Sequence, residues 1–202
     1  MTFNTDNFLE SILSSIDRMG YIKSDEIPNI ELYMDQLTTF MEKRLSNTRR
    51  HSDDKIMTKT MINNYTKNDL LPPPERKKYG RDHIMMLLFI YYFKNILSMS
   101  DIKKLLTPLS RNYFNGSGEL KFSEIYDEMF EMSLSQREDL KKFVEEQADI
   151  VMQTCKGAKK ENEDFLHLFA FICALSFDAY VKKLMIEKII DLMDDDGHPI
   201  KN

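Results

Sequence analysis

Three polar residues recur every four positions within residues 58–67 of this 202-residue chain. Lys59, Asn63 and Lys67 would share one face of a helix, opposite an apolar face that includes Ile62. An asparagine side chain can pair with adenine in the major groove of DNA, and a lysine can neutralise a phosphate or contact guanine. The spacing and the residue types therefore indicate a helix with a nucleic-acid-binding face.

Hydroxyl and basic groups flank this face. Thr58 and Thr60 would stand at the helix N-terminus, where free backbone N–H groups favour an anion such as phosphate. A compact basic cluster follows further along the chain beside Tyr79, made up of Arg76, Lys77, Lys78 and Arg81. Such a cluster suits the phosphate backbone or the minor groove of a duplex.

The charge of the chain is unevenly distributed. The whole sequence carries a formal net charge of -5, which taken alone discourages a nucleic-acid partner. Residues 41–110 nevertheless carry a net charge of +7, and the segments on either side carry -5 and -7. A basic segment between acidic flanks is typical of a phosphate-binding module inside a larger protein. The alternative is that these basic side chains only solvate one surface.

Helical periodicity extends through nearly the whole chain. Hydrophobic residues make up 42% and charged residues 30% of the sequence, as in ordinary soluble globular proteins. Helices are predicted over residues 8–16, 30–45, 58–67, 81–97, 98–106, 123–132, 133 or 135 to 155, and 163–193. We therefore predict an all-α fold with at most a short two-stranded sheet around the prolines.

Three breaks separate these helices. The polar, aperiodic residues 47–55 predict a loop, and the three prolines at 72–74 force an extended stretch. The glycine-containing residues 115–118 predict a linker. The first helix ends near Gly20, and Pro28 introduces the second. With the linker at residues 115–118, this divides the chain into an N-terminal helix over residues 1–27, a central domain over residues 28–110 and a C-terminal helical domain over residues 119–202.

The central segment combines a capped helix, a turn, a basic stretch and a further helix in an order that resembles the DNA-binding domain of MerR-type transcription regulators. The matching positions are Thr58, Ile62, Tyr65, Leu70, Leu71, Pro72, Tyr79 and residues 98–102. In that family they are the N-cap and an apolar position of the recognition helix, a tyrosine near its end, the turn into the wing, the end of the wing and the start of the last helix. The resemblance covers about a quarter of the chain.

This resemblance implies a winged helix-turn-helix fold over residues 28–110 and a transcriptional regulator that binds double-stranded DNA. The recognition helix would be residues 58–67 and the short basic wing residues 74–81. The expected DNA-binding residues are Thr58, Lys59, Thr60, Asn63, Asn64, Tyr65, Lys67, Arg76, Lys77, Lys78, Tyr79 and Arg81. Asn63 and Asn64 replace an arginine and a tyrosine of the MerR-type signature, which leaves open an interaction module that keeps the fold without binding DNA.

The whole chain also resembles an uncharacterised family of Firmicutes proteins with a domain of unknown function. The stretches that carry this second resemblance are Ile-Pro-Asn at residues 27–29 and Asn-Asn-Tyr-Thr-Lys-Asn at residues 63–68. It implies no particular activity.

The last predicted helix is apolar on nearly all sides between residues 165 and 177, which a small domain cannot easily bury alone. Two arrangements would cover it: a homodimer through the C-terminal helices, or a monomeric bundle with this helix at its centre. The uncharged run of 13 residues is shorter than the roughly 20 that a bilayer span needs. We therefore expect no membrane partner.

Signals for a catalytic or metal centre are weak. The four histidines are scattered, and Cys155 and Cys173 stand singly, so we predict neither a metal site, a cofactor nor a disulfide. The aspartates of residues 191–196 lack EF-hand spacing and predict a frayed tail, and His167 is expected in the core. With no catalytic motif and no signal-peptide pattern, the sequence predicts a cytoplasmic protein that is not an enzyme.

Overall fold

The structure, a computed structural model, describes residues 5–17, 20–116 and 118–200. The helices are α1 (Thr5–Asp17), α2 (Met34–Leu45), α3 (Lys59–Lys67), α4 (Arg81–Phe93), α5 (Met99–Tyr113), α6 (Phe122–Ser135), α7 (Arg137–Val151) and α8 (Lys160–Asp191). Two strands, β1 (Leu32–Tyr33) and β2 (Lys78–Tyr79), form an antiparallel pair. The prediction of an all-α fold with a short two-stranded sheet is confirmed.

The chain packs as two compact units. One, the bundle unit, consists of residues 1–21 and 129–185, and the other, the central unit, consists of residues 22–128 and 186–202. The sequence predicts three consecutive segments instead. The structure groups the chain differently because α1 packs along α7, which joins the beginning of the chain to its C-terminal half.

The core of the central unit is organised by α4. All residues from His83 to Tyr91 are buried, because this helix is apolar on nearly every side and is covered all round. Helices α2 and α3 contribute further buried side chains, among them Met41 and Ile62. Each such burial of a large apolar side chain contributes roughly 1.5–3 kcal/mol, so α4 dominates the stability of this unit.

The bundle unit has a smaller core. Among the described residues, its buried hydrophobic cluster consists of Ile16 of α1, Val144 and Val151 of α7, and Phe171 of α8. The ring of Phe8 meets that of Phe171 edge-on at 5.8 Å between centroids. The three helices α1, α7 and α8 therefore pack along one shared seam, which leaves one whole face of α8 outside the core.

The helix predicted from residue 30 begins later, at Met34. Leu32 and Tyr33 form β1 instead and pair with Tyr79 and Lys78 of β2. The extended backbone of Tyr33 then starts α2, and its N–H donates to Gln36 Oε1 at 2.9 Å. The predicted short sheet is present, but only β2 lies beside the prolines. Its partner β1 comes from residues 32–33, where helical periodicity conceals a segment that pairs with a distant strand.

Helix boundaries differ from the prediction around α4 and α5. Helix α4 ends at Phe93 rather than near residue 97. Helix α5 continues through Pro108 to Tyr113, where a stop before the proline is predicted. Pro108 is buried, so the free energy gained by burying its ring offsets the one backbone hydrogen bond that proline cannot donate.

The acidic residues after α8 form an ordered turn and not a frayed tail. Asp194 Oδ1 accepts hydrogen bonds from the N–H groups of Asp196 at 3.0 Å and His198 at 2.8 Å, and these bonds lower the pKa of the Asp194 carboxyl. Met193 and Pro199 pair as an isolated bridge. Within the described residues, no group of three or more His, Cys, Asp or Glu side chains could hold a metal ion.

Candidate nucleic-acid interface

Helix α3 has a buried face and a polar face, as its sequence predicts. Thr58 is the N-cap, and its Oγ1 accepts a hydrogen bond from the Met61 N–H at 3.2 Å, which satisfies a donor that the first turn leaves unpaired. Ile62 and Tyr65 are buried and anchor the helix. The polar face is exposed and consists of Lys59, Thr60, Asn63, Asn64 and Lys67.

The predicted wing is a minimal hairpin. Glu75 and Lys78 pair across it, with the Lys78 N–H donating to the Glu75 carbonyl at 2.9 Å. Its two tip residues, Arg76 and Lys77, are exposed and have left-handed backbones with φ of 48° and 65°. Two-residue hairpins need this conformation at both central positions and prefer asparagine and glycine there. The larger residues at this tip cost about 1 kcal/mol each.

Residues 31–35, which contain β1 and the start of α2, bring α3 and the hairpin together. Lys59 of α3 forms an ion pair with Asp35. Lys78 of the hairpin lies over the Tyr33 ring, 5.7 Å from its centroid, and its Nζ is 3.5 Å from a Glu31 carboxylate oxygen. The N-terminal end of α3 and the base of the hairpin are therefore held by the same five-residue segment.

Four of the twelve expected contact residues support the fold of the domain. Tyr65 and Tyr79 are buried, and burial raises the pKa of both phenols. Arg81 donates from its guanidinium to the Ser24 carbonyl oxygen at 2.5 Å. Thr58 uses its hydroxyl for the helix cap. These four side chains support the surface, and the remaining eight expected residues form its outward-facing part.

Folding brings part of the acidic N-terminal segment into contact with the basic segment, so that some of their charges form ion pairs. Carboxylates of the acidic first forty residues pair with the basic segment: Glu26 with Arg44, Glu31 with Lys78 and Asp35 with Lys59. The hydrogen bond from Arg44 lowers the pKa of Glu26. In the part of the chain that the structure describes, Lys67, Arg76 and Lys77 have no ion-pair partner within 4.0 Å. Among the expected contact residues, these three cations are therefore the ones available to an anionic partner without exchange of an existing ion pair.

The longer of the two segments of the central unit has the bounds of a known family. The family model described as Domain of unknown function (DUF1836) matches residues 22–129, more than half of the chain. The chain belongs to this family. The match begins and ends within one residue of the 22–128 segment of the central unit, so the DUF1836 domain contains α2 to α5, the hairpin and most of α6. No curated protein and no solved structure matches the chain.

A buried histidine, which sequence reasoning missed, supports the hairpin of the DUF1836 domain. His83 Nδ1 accepts a hydrogen bond from the Gly80 N–H at 3.1 Å, so Nε2 carries the proton and faces the Pro73 carbonyl at 3.4 Å. Its ring meets Tyr79 and Phe114 edge-on at 5.5 and 4.8 Å. Burial lowers the pKa of His83. The one signal in the sequence for this role is that His83 is the third residue of a predicted helix that follows Gly80.

Residues 22–24 are tied to α6, on the side of the DUF1836 domain where Arg81 binds. Asp127 accepts hydrogen bonds from the Ser24 N–H at 2.9 Å and the Ser24 hydroxyl at 2.5 Å. The Tyr126 hydroxyl donates to the Ile22 carbonyl at 2.7 Å. Since the same Ser24 accepts from Arg81, these contacts link the first segment of the domain to the beginning of α4 and to α6.

Proposed function

We propose that the DUF1836 domain of this chain binds double-stranded DNA and acts as a MerR-like transcriptional regulator. In this proposal α3 enters the major groove and the hairpin tip contacts the phosphate backbone. The observation that carries the proposal is the hairpin tip: two exposed cations, Arg76 and Lys77, occupy left-handed positions beside a polar, exposed helix.

The tip supports binding because its residues do not serve the fold. Asparagine and glycine would make the same turn at lower conformational cost, and neither Arg76 nor Lys77 has an ion-pair partner in the described chain. Backbone strain of this kind is typical of functional positions. Two adjacent cations on a rigid two-residue turn present their charge to a partner at a defined place, as a phosphate contact requires.

Helix α3 supplies side chains that can distinguish base pairs. Asn63 is exposed at the middle of the polar face and can make two hydrogen bonds to an adenine edge. Lys59 and Lys67 are eight residues apart, about 12 Å along the helix, so they can reach phosphates on either side of a groove about 12 Å wide. Lys59 would exchange its ion pair with Asp35 for a phosphate, which lowers the net gain from this contact.

The experiment compares the salt dependence of DNA binding for the natural chain and the double variant Arg76→Asn/Lys77→Gly. Retention on fragments of genomic DNA is measured at several salt concentrations. We expect the logarithm of the affinity to fall linearly with the logarithm of the salt concentration, and the double variant to lower the magnitude of that slope by about 1.8, two contacts at 0.9 each. The variant should unfold at the same temperature or higher, because its turn is less strained.

The matched control removes two exposed cations from the bundle unit, Lys156→Asn/Lys159→Gln. Its slope should equal that of the natural chain. No salt-dependent retention of the natural chain would overturn the proposal, and so would an equal decrease in slope for both double variants. Asn63→Ala should leave the slope unchanged and reduce the preference among fragments, since this side chain would contact bases and not phosphates.

One observation favours the second candidate, a protein-interaction module. A groove of about 430 Å³ lies along α2, with apolar walls from Leu32 and Phe40 and polar residues Asp35 and Lys43 at its edge. Ile30 is exposed just before it in the chain. Two results together would support this function in place of the first: the natural chain does not bind DNA, and the Phe40→Asp variant no longer binds a protein that the natural chain binds.

A further inference from the structure

Between residues 165 and 177, helix α8 has two apolar faces, and the bundle unit covers only one of them. Farther along the helix, Val181, Met185 and Ile189 are exposed as well. The inner face carries His167 and Phe171, which are buried, and packs against α1 and α7. The other, which we call the outer face, consists of Phe165, Phe169, Ile172, Phe177, Tyr180 and Leu184. Its four aromatic residues are exposed by 65%, 55%, 69% and 57% in chain order, so it is an extended apolar surface about 28 Å long.

The area of the outer face matches one side of a stable protein interface. With aromatic side chains of about 150–250 Å² each exposed by more than half, the six residues present on the order of 600 Å². A standard interface buries about 800 Å² per partner, and monomers rarely expose apolar patches above about 600 Å². The outer face therefore supplies most of what a specific dimer needs.

The charges at the two ends of the outer face select the partner. Glu163 lies just before its first aromatic residue, and Lys183, which already has an interaction within its own chain, lies near its last turn. In a parallel pair of α8 helices the like charges would meet at each end. In an antiparallel pair centred on Cys173, Glu163 of each copy would face Lys183 of the other, and Phe169 would face Phe177. We propose that the outer face of α8 is the interface of an antiparallel homodimer with Cys173 at its two-fold axis.

The residues near the proposed axis allow two helices to approach closely. Cys173 is exposed and reduced, and the nearby Ser176 is also small and exposed. Packed helices lie 8–10 Å apart between axes, and small side chains give the shorter distances. Two thiols that face each other across the axis of such a pair can approach the 4.4–6.8 Å Cα separation that a disulfide requires.

Helix α8 could also cross a membrane by length and composition, over Asn162–Asp191, and only 11% of its most apolar window is buried. The core helix of a soluble protein passes the same test. Here part of the inner face is already occupied by other helices: Phe171 lies in the bundle core, and Lys182 lies 5.6 Å from the ring centroid of Phe143 in α7. A spanning helix would have to leave these contacts, whereas a second copy would cover only the open face.

The first test is oxidative cross-linking of the full-length chain. Copper phenanthroline and air would take two electrons and two protons from a pair of thiols, and the product is resolved on a non-reducing gel. In the Cys155→Ser variant, which keeps Cys173, we expect most of the protein to become a disulfide-linked dimer within minutes. The matched control, Cys173→Ser, keeps the exposed Cys155 and should stay at the mass of one chain, because Cys155 lies outside the interface.

The second test reverses the end charges and measures mass by sedimentation equilibrium. Glu163→Lys alone and Lys183→Glu alone should each weaken the dimer several-fold, since each creates a like-charge pair at both ends. The two substitutions together should restore the natural affinity. Phe169→Asp should abolish the dimer, while Ile150→Asp on the exposed side of α7 should leave it intact.

Three results would overturn the proposal. They are a natural chain that stays monomeric at high micromolar concentration, equal cross-linking through Cys155 and Cys173, and failure of the double charge reversal to restore the dimer. A monomer that sediments with phosphatidylglycerol vesicles, and loses that binding on Phe169→Asp, would assign the outer face to a membrane instead. None of these readouts depends on DNA, so the proposed function and this interface can fail separately.

Discussion

The central unit and the bundle unit contain similar apolar side chains and bury them very differently. In the central unit, Ile84 to Leu88 are completely inaccessible to solvent. Among the described residues of the bundle unit, the buried hydrophobic cluster consists of Ile16, Val144, Val151 and Phe171, while α8 exposes a row of aromatic side chains to solvent. The central unit covers its own apolar side chains, as a self-sufficient domain does. The bundle unit leaves many of its apolar side chains exposed to solvent.

This difference explains why the family match and the structural boundary coincide. The DUF1836 match ends at residue 129, one residue beyond the 22–128 segment of the central unit. A segment that closes its own hydrophobic core can be retained as a module in different chains. The bundle unit offers instead an apolar outer face, which gains stability only when another surface covers it.

The same isoleucine-to-alanine substitution in each unit tests this difference in burial most directly. Ile84→Ala in the central core should lower the free energy of unfolding by about 2–5 kcal/mol, because it removes a completely buried side chain and leaves a cavity. Ile150→Ala in the bundle unit, where the side chain is 56% exposed, should change it by less than about 0.5 kcal/mol. Urea unfolding followed by circular dichroism measures both, and equal losses would contradict the contrast.

A smaller effect tests how the first segment of the central unit is held. Asp127→Ala removes the acceptor of two hydrogen bonds from Ser24, so we expect a loss of about 1–3 kcal/mol in the free energy of unfolding. Glu128→Ala, at the exposed neighbouring position, should be nearly neutral. If both variants have the same free energy of unfolding, the hydrogen bonds between residues 22–24 and α6 do not contribute to the stability of the central unit, which would contradict this inference.

The smallest expected effect is a pH dependence from His83. Its pKa is lowered in the folded state by burial, so below pH 6.5 the unfolded chain binds more protons than the folded one. Stability should therefore fall as the pH decreases from 7 to 5.5, with at most about 1.4 kcal/mol per pH unit from this one group. His83→Gln should flatten that decrease. The exposed His51→Gln should retain the natural profile, and an unchanged profile for His83→Gln would exclude this origin.

Local sequence features were sufficient for α3. The Thr58 cap, the apolar pair Ile62 and Tyr65, and the polar positions at four-residue spacing predicted its bounds to within a residue and its buried and exposed faces. The reason is that capping and amphipathic periodicity act within one or two turns. The same reasoning predicted the packed position of His167 correctly.

Long-range contacts were not predictable in the same way. Tyr33 joins a strand because Lys78 pairs with it 45 residues later, and helical periodicity alone hides this. Tyr79 was predicted as a DNA contact, yet its ring is buried. The residue type alone does not show whether an aromatic side chain of a hairpin is buried in the domain or points to solvent, because that depends on which residues pack against it.

The sequence by itself determined the helical class, the cap and the two faces of α3, and the apolar character of α8, because these follow from propensities and spacings within a few turns. Only the tertiary structure decided which cations remain unpaired, that His83 supports the hairpin, and that α8 keeps one apolar face exposed. Ion pairing and burial depend on residues brought together from distant parts of the chain. The charged residues that can contact a partner are therefore known only once folding has shown which of them form ion pairs within the chain.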